Sequence, residues 1–232
     1  MSTALLFITD GRKRYAEHTL ASLQVLIDEG ALRFDYAVVV DDACDDPSYG
    51  EWLTDVFPWN LRLMPIGKKR GFGGAINAGW EVVRKLDVDY VFHLEDDFVF
   101  TRYFRIEQLE RILREHPELA QLALKRQPWN PTEEAAGDLI RVNWDSYEQH
   151  ANDRGDEWYT HRLFFTSNPS LYPARIMANG WPLVERSEGV FSAELFRDPL
   201  VRCAYLGRKD DAPWVTHIGG VAGVSDRTGV VY

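Results

Sequence analysis

Three consecutive acids interrupt an apolar stretch at residues 90–100, which read YVFHLEDDFVF. The apolar flanks have the composition of a buried strand, where carboxylates are costly unless they meet a cation or a metal ion. Glu95, Asp96 and Asp97 therefore predict a site for a hard divalent cation, because such ions prefer carboxylate oxygens. The alternative is a solvated turn between two strands, since acids are also common in turns.

Two earlier apolar runs, residues 4–8 and 36–40, are typical of strands that are buried on both faces. Between them, leucines and an isoleucine recur with helical spacing at residues 20–27, which predicts a helix. The order strand, helix, strand favours an α/β fold with a mostly parallel sheet flanked by helices. Ligands bind such sheets at the carboxyl ends of the strands. The polar residues expected there are Thr9, Asp10, Arg12 and Asp41.

A basic, glycine-rich loop at residues 67–80 (GKKRGFGGAINAGW) leads into a predicted helix. Backbone N–H groups, a helix N-terminus and nearby cations together bind anions. Lys68, Arg70 and Gly71 are therefore candidates for contacts to a phosphate. The loop has neither the Walker pattern nor the GxGxxG pattern. Glycines that serve tight turns beside solvated lysines are the alternative explanation.

The second half of the chain is less regular. Residues 105–116 are predicted as an amphipathic helix and residues 121–124 as a strand. Residues 129–159 are polar, acidic and interrupted by aromatic residues, which predicts a long functional loop or lid instead of more sheet. We expect further strands at residues 163–165, 203–206 and 214–220.

A further helix is predicted at residues 185–196, with Ser187 as its cap. The apolar residues Val190, Phe191 and Leu195 should face inward.

Charge and composition exclude several classes of protein. With 26 Lys and Arg against 36 Asp and Glu, the formal net charge is −10, which argues against a broad nucleic-acid footprint. No stretch approaches the roughly 20 apolar residues of a membrane-spanning helix. The two cysteines, Cys44 and Cys203, have neither disulfide-framework nor metal-site spacing. We therefore expect a soluble protein of a reducing compartment, the cytoplasm.

The order of these features resembles the family 2 glycosyltransferases, which have the GT-A fold, a Rossmann-type sheet flanked by helices. The resemblance spans most of the chain. The matching segments are Thr9-Asp10 and Asp41-Asp42 after two strands, the helix entry from Gly71 to Asn77, the acids Glu95-Asp96-Asp97, Gly180-Trp181-Pro182 with Glu188, and Thr216-His217-Ile218-Gly219. The resemblance implies one GT-A-like domain over residues 1–232, with a nucleotide-sugar-binding half at about 1–100 and an acceptor-binding half at about 101–232.

The resemblance also implies roles for individual residues. Asp41 would contact the base or ribose of a nucleotide-sugar donor, and Asp97 would contact a Mn²⁺ or Mg²⁺ ion bound to the diphosphate of that donor. Glu95 stands at the first position of the DxD pattern, where aspartate is usual. His217 is the candidate for a further metal ligand. The remaining candidates for the donor site are Asn77 and Asp96.

Glycosyl transfer needs a carboxylate that acts as a base on the acceptor side of the site. Negative charge accumulates on the leaving diphosphate, which a divalent ion stabilises, while a carboxylate takes the proton of the acceptor hydroxyl. Glu188 is the candidate base, because it lies in the first turn of its predicted helix, where the helix N-terminus favours an ionised carboxylate. Glu194, six residues further on, points in a different direction and is the alternative. Displacement from one side would invert the anomeric centre.

Several alternatives stay open. The acceptor could be a glycan, a protein, a lipid-linked sugar or a modified nucleic acid. A sugar-phosphate nucleotidyltransferase of similar architecture would normally carry a glycine-rich phosphate loop after the first strand, and residues 9–14 contain only one glycine. A non-catalytic module of the same fold that binds a nucleotide or carbohydrate is the third possibility.

Overall fold

A computed structural model of the chain describes residues 1–42, 47–57, 61–65 and 69–220. Its first half alternates strands and helices, as the apolar runs predict. In chain order these are β1 (Thr3–Thr9), α1 (Lys13–Asp28), β2 (Tyr36–Asp41), α2 (Pro47–Val56), β3 (Leu61–Pro65), α3 (Gly71–Val83) and β4 (Tyr90–Glu95). Strands β3, β2, β1 and β4 lie side by side in that order and pair in parallel. Their carboxyl ends therefore meet at one edge of the sheet.

Helices pack closely against this parallel half, which explains why its strands are mostly apolar. All seven residues of β1 are buried. Helix α3 comes especially close to the sheet at Gly79, where an added Cβ would overlap Leu6 Cδ1 and lie 3.0 Å from Val40 Cγ2. Only glycine at this position allows α3 to approach β1 and β2 so closely.

The second half contributes the remaining elements. They are β5 (Phe98–Phe100), α4 (Ile106–Glu115), β6 (Leu119–Ala123), α5 (Pro131–Ala136), β7 (Glu148–Ala151), β8 (Glu157–His161), β9 (Ser170–Pro173), α6 (Ser187–Leu195), β10 (Arg202–Leu206) and β11 (Val215–His217). Among the described residues, nine strands form one sheet in the order β3-β2-β1-β4-β9-β6-β10-β8-β7. Strand β9 runs antiparallel to both β4 and β6, whereas β10 is parallel to β6. Strands β5 and β11 pair antiparallel in a separate ribbon.

The predicted fold class is confirmed, but the prediction of a long loop or lid at residues 129–159 is wrong. This segment contains α5, a 3-10 turn at Arg141–Ser146, and strands β7 and β8, which extend the main sheet. Tyr147, Trp158 and Tyr159 are buried in the core. Strand β7 lies at the edge of the sheet and is mostly exposed, and this exposure accounts for the polar composition that suggested a loop.

Three smaller predictions are also corrected. Residues 163–165 are not a strand, and the chain enters the sheet later, at β9. Ser187 begins α6 but makes no capping hydrogen bond; its hydroxyl accepts the indole N–H of Trp181 at 2.8 Å. Phe191 of the same helix is buried as predicted, whereas Val190 is 46% exposed.

Cysteine spacing and hydropathy led to two expectations, a reducing compartment and no membrane-spanning helix. Cys203 is a buried free thiol, and Cys44 lies outside the described residues. Within the described ranges, none of the helices has both the length and the apolar character needed to cross a bilayer.

Candidate active site

A cavity of about 500 Å³ lies at the carboxyl ends of β1, β2 and β4. The first turns of α3 and α6 and the end of β11 also contribute to its wall. Of the residues singled out from the sequence, the cavity is lined by Thr9, Asp10, Arg12, Arg70, Gly71, Glu95, Asp96, Asp97, Glu188 and His217. It therefore combines residues from both halves of the chain.

Asp96 and Asp97 form the turn between β4 and β5, but both side chains are buried. Asp96 accepts hydrogen bonds from the Thr9 hydroxyl at 2.7 Å and from the Asp10 N–H at 3.3 Å. The Arg12 guanidinium pairs with both aspartates, and its Nη2 lies 2.8 Å from Asp97 Oδ2. Burial raises the pKa of Asp96 to about 7, although the charge of Arg12 opposes this. The acids are thus in a turn, as the alternative interpretation held, but the turn is not solvated.

Asp97 also faces His217, whose Nε2 lies 3.1 Å from Asp97 Oδ2. Burial raises the pKa of Asp97, but hydrogen bonds and charges from His217 and Arg12 together lower it below its ordinary value. Asp97 Oδ1 and His217 Nδ1 are buried, and neither has a hydrogen-bond partner in the described part of the chain. A buried carboxylate oxygen without a partner, next to an imidazole, suits a divalent cation.

Glu95, the third predicted metal ligand, does not lie with Asp97 and His217. The described residues contain no group of three or more His, Cys, Asp and Glu side chains placed to hold one ion. Glu95 lines the cavity, and its Oε1 lies 3.8 Å from Nε2 of the buried His93. Asp97 and His217 alone still fit an ion whose other ligands are phosphate oxygens and water, because Mg²⁺ at phosphate sites is usually held by only one or two carboxylates.

The first turn of α3 lines the cavity with Arg70 and residues 71–75. The first N–H groups of a helix have no partner within the helix and therefore bind anions. Asp42, at the end of β2, accepts the Arg70 N–H at 2.8 Å and so ties this turn to the sheet. At Gly73 an added Cβ would lie 2.8 Å from the backbone oxygen of Pro182. Lys68, also predicted here, lies outside the described residues.

Three other predicted residues do not line the cavity. Asp41 is buried at the end of β2, and its neighbour Asp42 lines the cavity instead. Asn77 exchanges two hydrogen bonds of 2.8 Å with the backbone of Trp181, and so holds the segment that leads to α6. Glu194 is exposed on α6.

Glu188 lies in the first turn of α6 and reaches the cavity, as predicted. Its Oε1 accepts the Ser167 N–H at 2.6 Å. Burial raises the pKa of Glu188, and this effect outweighs the lowering by the hydrogen bond from Ser167. The expected stabilisation of the ionised form by the helix end is therefore not the dominant effect. A carboxylate with a raised pKa is the stronger proton acceptor.

No protein-family profile matches the sequence, and no curated protein matches it significantly. Solved glycosyltransferases have a similar structure. TarS of S. aureus aligns with a TM-score of 0.57 at 14% identity, over 93% of this chain and 60% of the TarS chain. The mannosyltransferase PcManGT of Pyrobaculum calidifontis aligns with a TM-score of 0.60 at 14% identity, over 95% of this chain and 58% of its own.

GalNAc-T7 aligns with a TM-score of 0.61 at 9% identity, over 96% of this chain and 44% of its own. The chain has a GT-A fold. It spans between 44% and 60% of the length of these three chains. The predicted resemblance to glycosyltransferases is thus confirmed at the level of the fold.

Several residues in or beside the cavity were not predicted from the sequence. Trp129 lines it, with its ring centroid 4.1 Å from that of His217. Gln127 bonds to the backbone of His217, and Ser167 bonds to Glu188. Residues 127–129 follow β6, which points the same way as β4 because both are antiparallel to β9. Because ligands bind at the carboxyl ends of such strands, the position of residues 127–129 after β6 could have indicated a role in the site. The interpretation of residues 129–159 as a lid drew attention away from this position.

Proposed function

We propose that this chain is a glycosyltransferase, of the family 2 type, that moves a sugar from a nucleotide-sugar to a hydroxyl group with the help of a divalent metal ion. The observation that carries the proposal is that one cavity of a GT-A fold combines the buried Asp97–His217 pair, the first turn of α3 and the Glu188 carboxylate. TarS has been solved with UDP and with UDP-GlcNAc. PcManGT has been solved with GDP-Man and Mn²⁺, and GalNAc-T7 with UDP, GalNAc and Mn²⁺. These structures support the donor class and the metal.

The donor would bind at the ends of β1 and β2 and at the first turn of α3. The Arg70 side chain and the N–H groups of the first turn of α3 that do not bond to Asp42 bind the diphosphate, because they bring positive charge to the same wall of the cavity. Thr9 and Asp10 lie beside them. Asp42 contacts the base or ribose in place of Asp41, since the Asp42 side chain is the one that lines the cavity.

Asp97 and His217 would hold the Mn²⁺ or Mg²⁺ ion. When bound, such an ion stabilises the negative charge that develops on the leaving diphosphate. Arg12 is paired with Asp97 and Asp96, and these pairs compensate two carboxylates that burial would otherwise destabilise. Arg12 and Asp96 therefore support the turn that presents Asp97.

Glu188 would act as the base on the acceptor side. It takes the proton of the acceptor hydroxyl, and the hydroxyl oxygen forms a bond to the anomeric carbon. The bond between that carbon and the diphosphate oxygen breaks, and its electron pair stays on the diphosphate. Attack from the side opposite the leaving group inverts the anomeric centre. The acceptor is a glycan, a protein, a lipid-linked sugar or a modified nucleic acid.

A binding assay and a hydrolysis assay test this proposal together. Melting temperatures are measured with UDP and with GDP, each with and without MnCl₂, because a ligand that binds the native state raises the melting temperature. We expect stabilisation that requires the metal, and slow release of nucleoside diphosphate from a sugar nucleotide when water replaces the acceptor. Stabilisation without any release of sugar would indicate a non-catalytic binding module. No stabilisation by either nucleotide would contradict the proposal.

A further inference from the structure

The side chain of Gln127 holds the backbone of His217. Its Nε2 donates a hydrogen bond to His217 O at 2.8 Å, and its Oε1 accepts the His217 N–H at 2.9 Å. On the other edge of β11, His217 lies opposite Phe98 of β5. The neighbouring residue Arg126 also bridges to Val215 of β11. The backbone that carries His217 is therefore fixed from both edges.

Trp129 holds the imidazole ring of His217. The indole and imidazole centroids are 4.1 Å apart, and the rings are nearly perpendicular at 83°. The indole Nε1–H bonds to Gly220 O at 3.1 Å, which ties Trp129 to the segment just after β11. The Trp129 N–H bonds to Glu133 at 2.8 Å, and Arg126 pairs with Glu133 at 2.7 Å. Trp129 is thus anchored on two sides while its ring packs against the imidazole.

We propose that Gln127 and Trp129 are positioning residues that hold His217 ready to ligate a metal ion beside Asp97. The inference rests on the proposed function, because it assumes that Asp97 and His217 bind the ion. A ligand that is already held in place loses little freedom when the metal binds. Partners that bond directly to a ligating imidazole usually contribute about 10- to 100-fold to metal affinity. We expect a smaller contribution here, because Gln127 bonds to the backbone of His217 and Trp129 packs against its ring.

The test uses two variants and a matched control. Gln127→Met keeps the length of the side chain and removes both hydrogen bonds, and Trp129→Phe keeps an aromatic ring and removes the indole N–H. Gln149→Met is the control, because Gln149 also bonds to backbone groups on both sides of its amide, among them Trp158 O at 3.0 Å and the Lys209 N–H at 3.1 Å. Gln149 belongs to β7 and does not line the cavity.

Mn²⁺ affinity is measured on the full chain from the electron paramagnetic resonance signal of free Mn²⁺, alone and with UDP or GDP, so that the readout does not depend on turnover. We expect Gln127→Met to bind Mn²⁺ up to about tenfold more weakly than the parent, the lower end of the range for partners of a metal ligand. Trp129→Phe should show a smaller loss, and Gln149→Met should bind as the parent does. In a turnover assay, excess MnCl₂ should restore the rate of Gln127→Met, which a general loss of structure would not permit.

The outcomes separate this inference from the proposed function. Parental Mn²⁺ affinity in Gln127→Met and Trp129→Phe, with loss of affinity in His217→Ala, would overturn the inference and leave the metal site intact. Parental affinity in His217→Ala, or no Mn²⁺ binding by the parent with any nucleotide, would refute the metal site itself. If Gln127→Met melts below the assay temperature, Trp129→Phe decides the question.

Discussion

Replacing Glu188 with glutamine tests the proposed base with little change of shape. A glutamine oxygen can still accept the Ser167 N–H that Glu188 Oε1 now accepts at 2.6 Å. The substitution removes a charge that burial disfavours, so the folded state should remain at least as stable. Loss of a positioned base slows a reaction by about 10²- to 10⁴-fold, which corresponds to about 3–5 kcal/mol in the activation barrier. Donor affinity, measured by calorimetry, should not change.

The pH dependence of the same variant gives a second test of Glu188. A general base acts in its deprotonated form, so the parental rate should fall as the pH drops through the pKa of Glu188. This pKa lies above the ordinary carboxyl value because loss of solvent around the side chain disfavours its charged form. In Glu188→Gln the side chain does not titrate, and the decline on the acidic side that belongs to Glu188 should disappear. The assay is release of nucleoside diphosphate from a sugar nucleotide across a pH series.

Glu194→Gln is the matched control. Glu194 lies on the same helix, is exposed, and pairs with Arg197 at 3.4 Å. Exposed pairs of this kind contribute little to stability, so this variant should behave as the parent does. Parental turnover in Glu188→Gln together with collapse in Glu194→Gln would refute the reasoning and move the role of base to Glu194.

Three further predictions concern the donor site and the fold. Asp97→Asn removes the charge that His217 and Arg12 face. Turnover should therefore fall by orders of magnitude, while the melting curve stays cooperative. Full activity of the variant in the presence of a chelator would contradict the metal site. Asp42→Asn should weaken the binding of a nucleoside diphosphate by about tenfold or more, the scale of one hydrogen bond to a charged group. Asp41→Asn should weaken this binding less. If calorimetry shows the reverse order, the role returns to Asp41. Gly79→Ala should destabilise the fold by about 1–3 kcal/mol in urea denaturation, because its Cβ would overlap Leu6. Gly189→Ala in α6, with nothing within 4 Å of the added Cβ, should leave stability equal or higher, and equal losses in both variants would contradict the packing argument.

The strands and helices of the parallel half follow from local patterns in the sequence. Each apolar run is long enough for one strand, and a helix repeat separates the first two. Parallel strands place their carboxyl ends at one edge, so the joint position of Thr9, Arg12 and Asp97 in one cavity could be inferred without coordinates. The charge pattern at residues 95–97 was sufficient to locate the site along the chain.

Predictions that depended on distant contacts were less accurate. Ser187 has the residue type of a helix cap, yet its hydroxyl accepts the Trp181 indole N–H. Asn77 lies on a helix that enters the site, yet its amide holds the backbone of Trp181. Polar side chains bond to whichever group packing brings near, and the residue type alone does not specify that group.

The sequence by itself determined the order of the elements, the edge of the sheet that carries the site, and the acids that belong to it. Only the tertiary structure decided between adjacent candidates, because neighbouring residues at a strand end point in different directions and a small rotation selects one of them. Asp42 lines the cavity and Asp41 does not. The tertiary structure alone also brought Gln127 to the backbone of His217, 90 residues away, since no local pattern records a contact between residues so far apart in the chain.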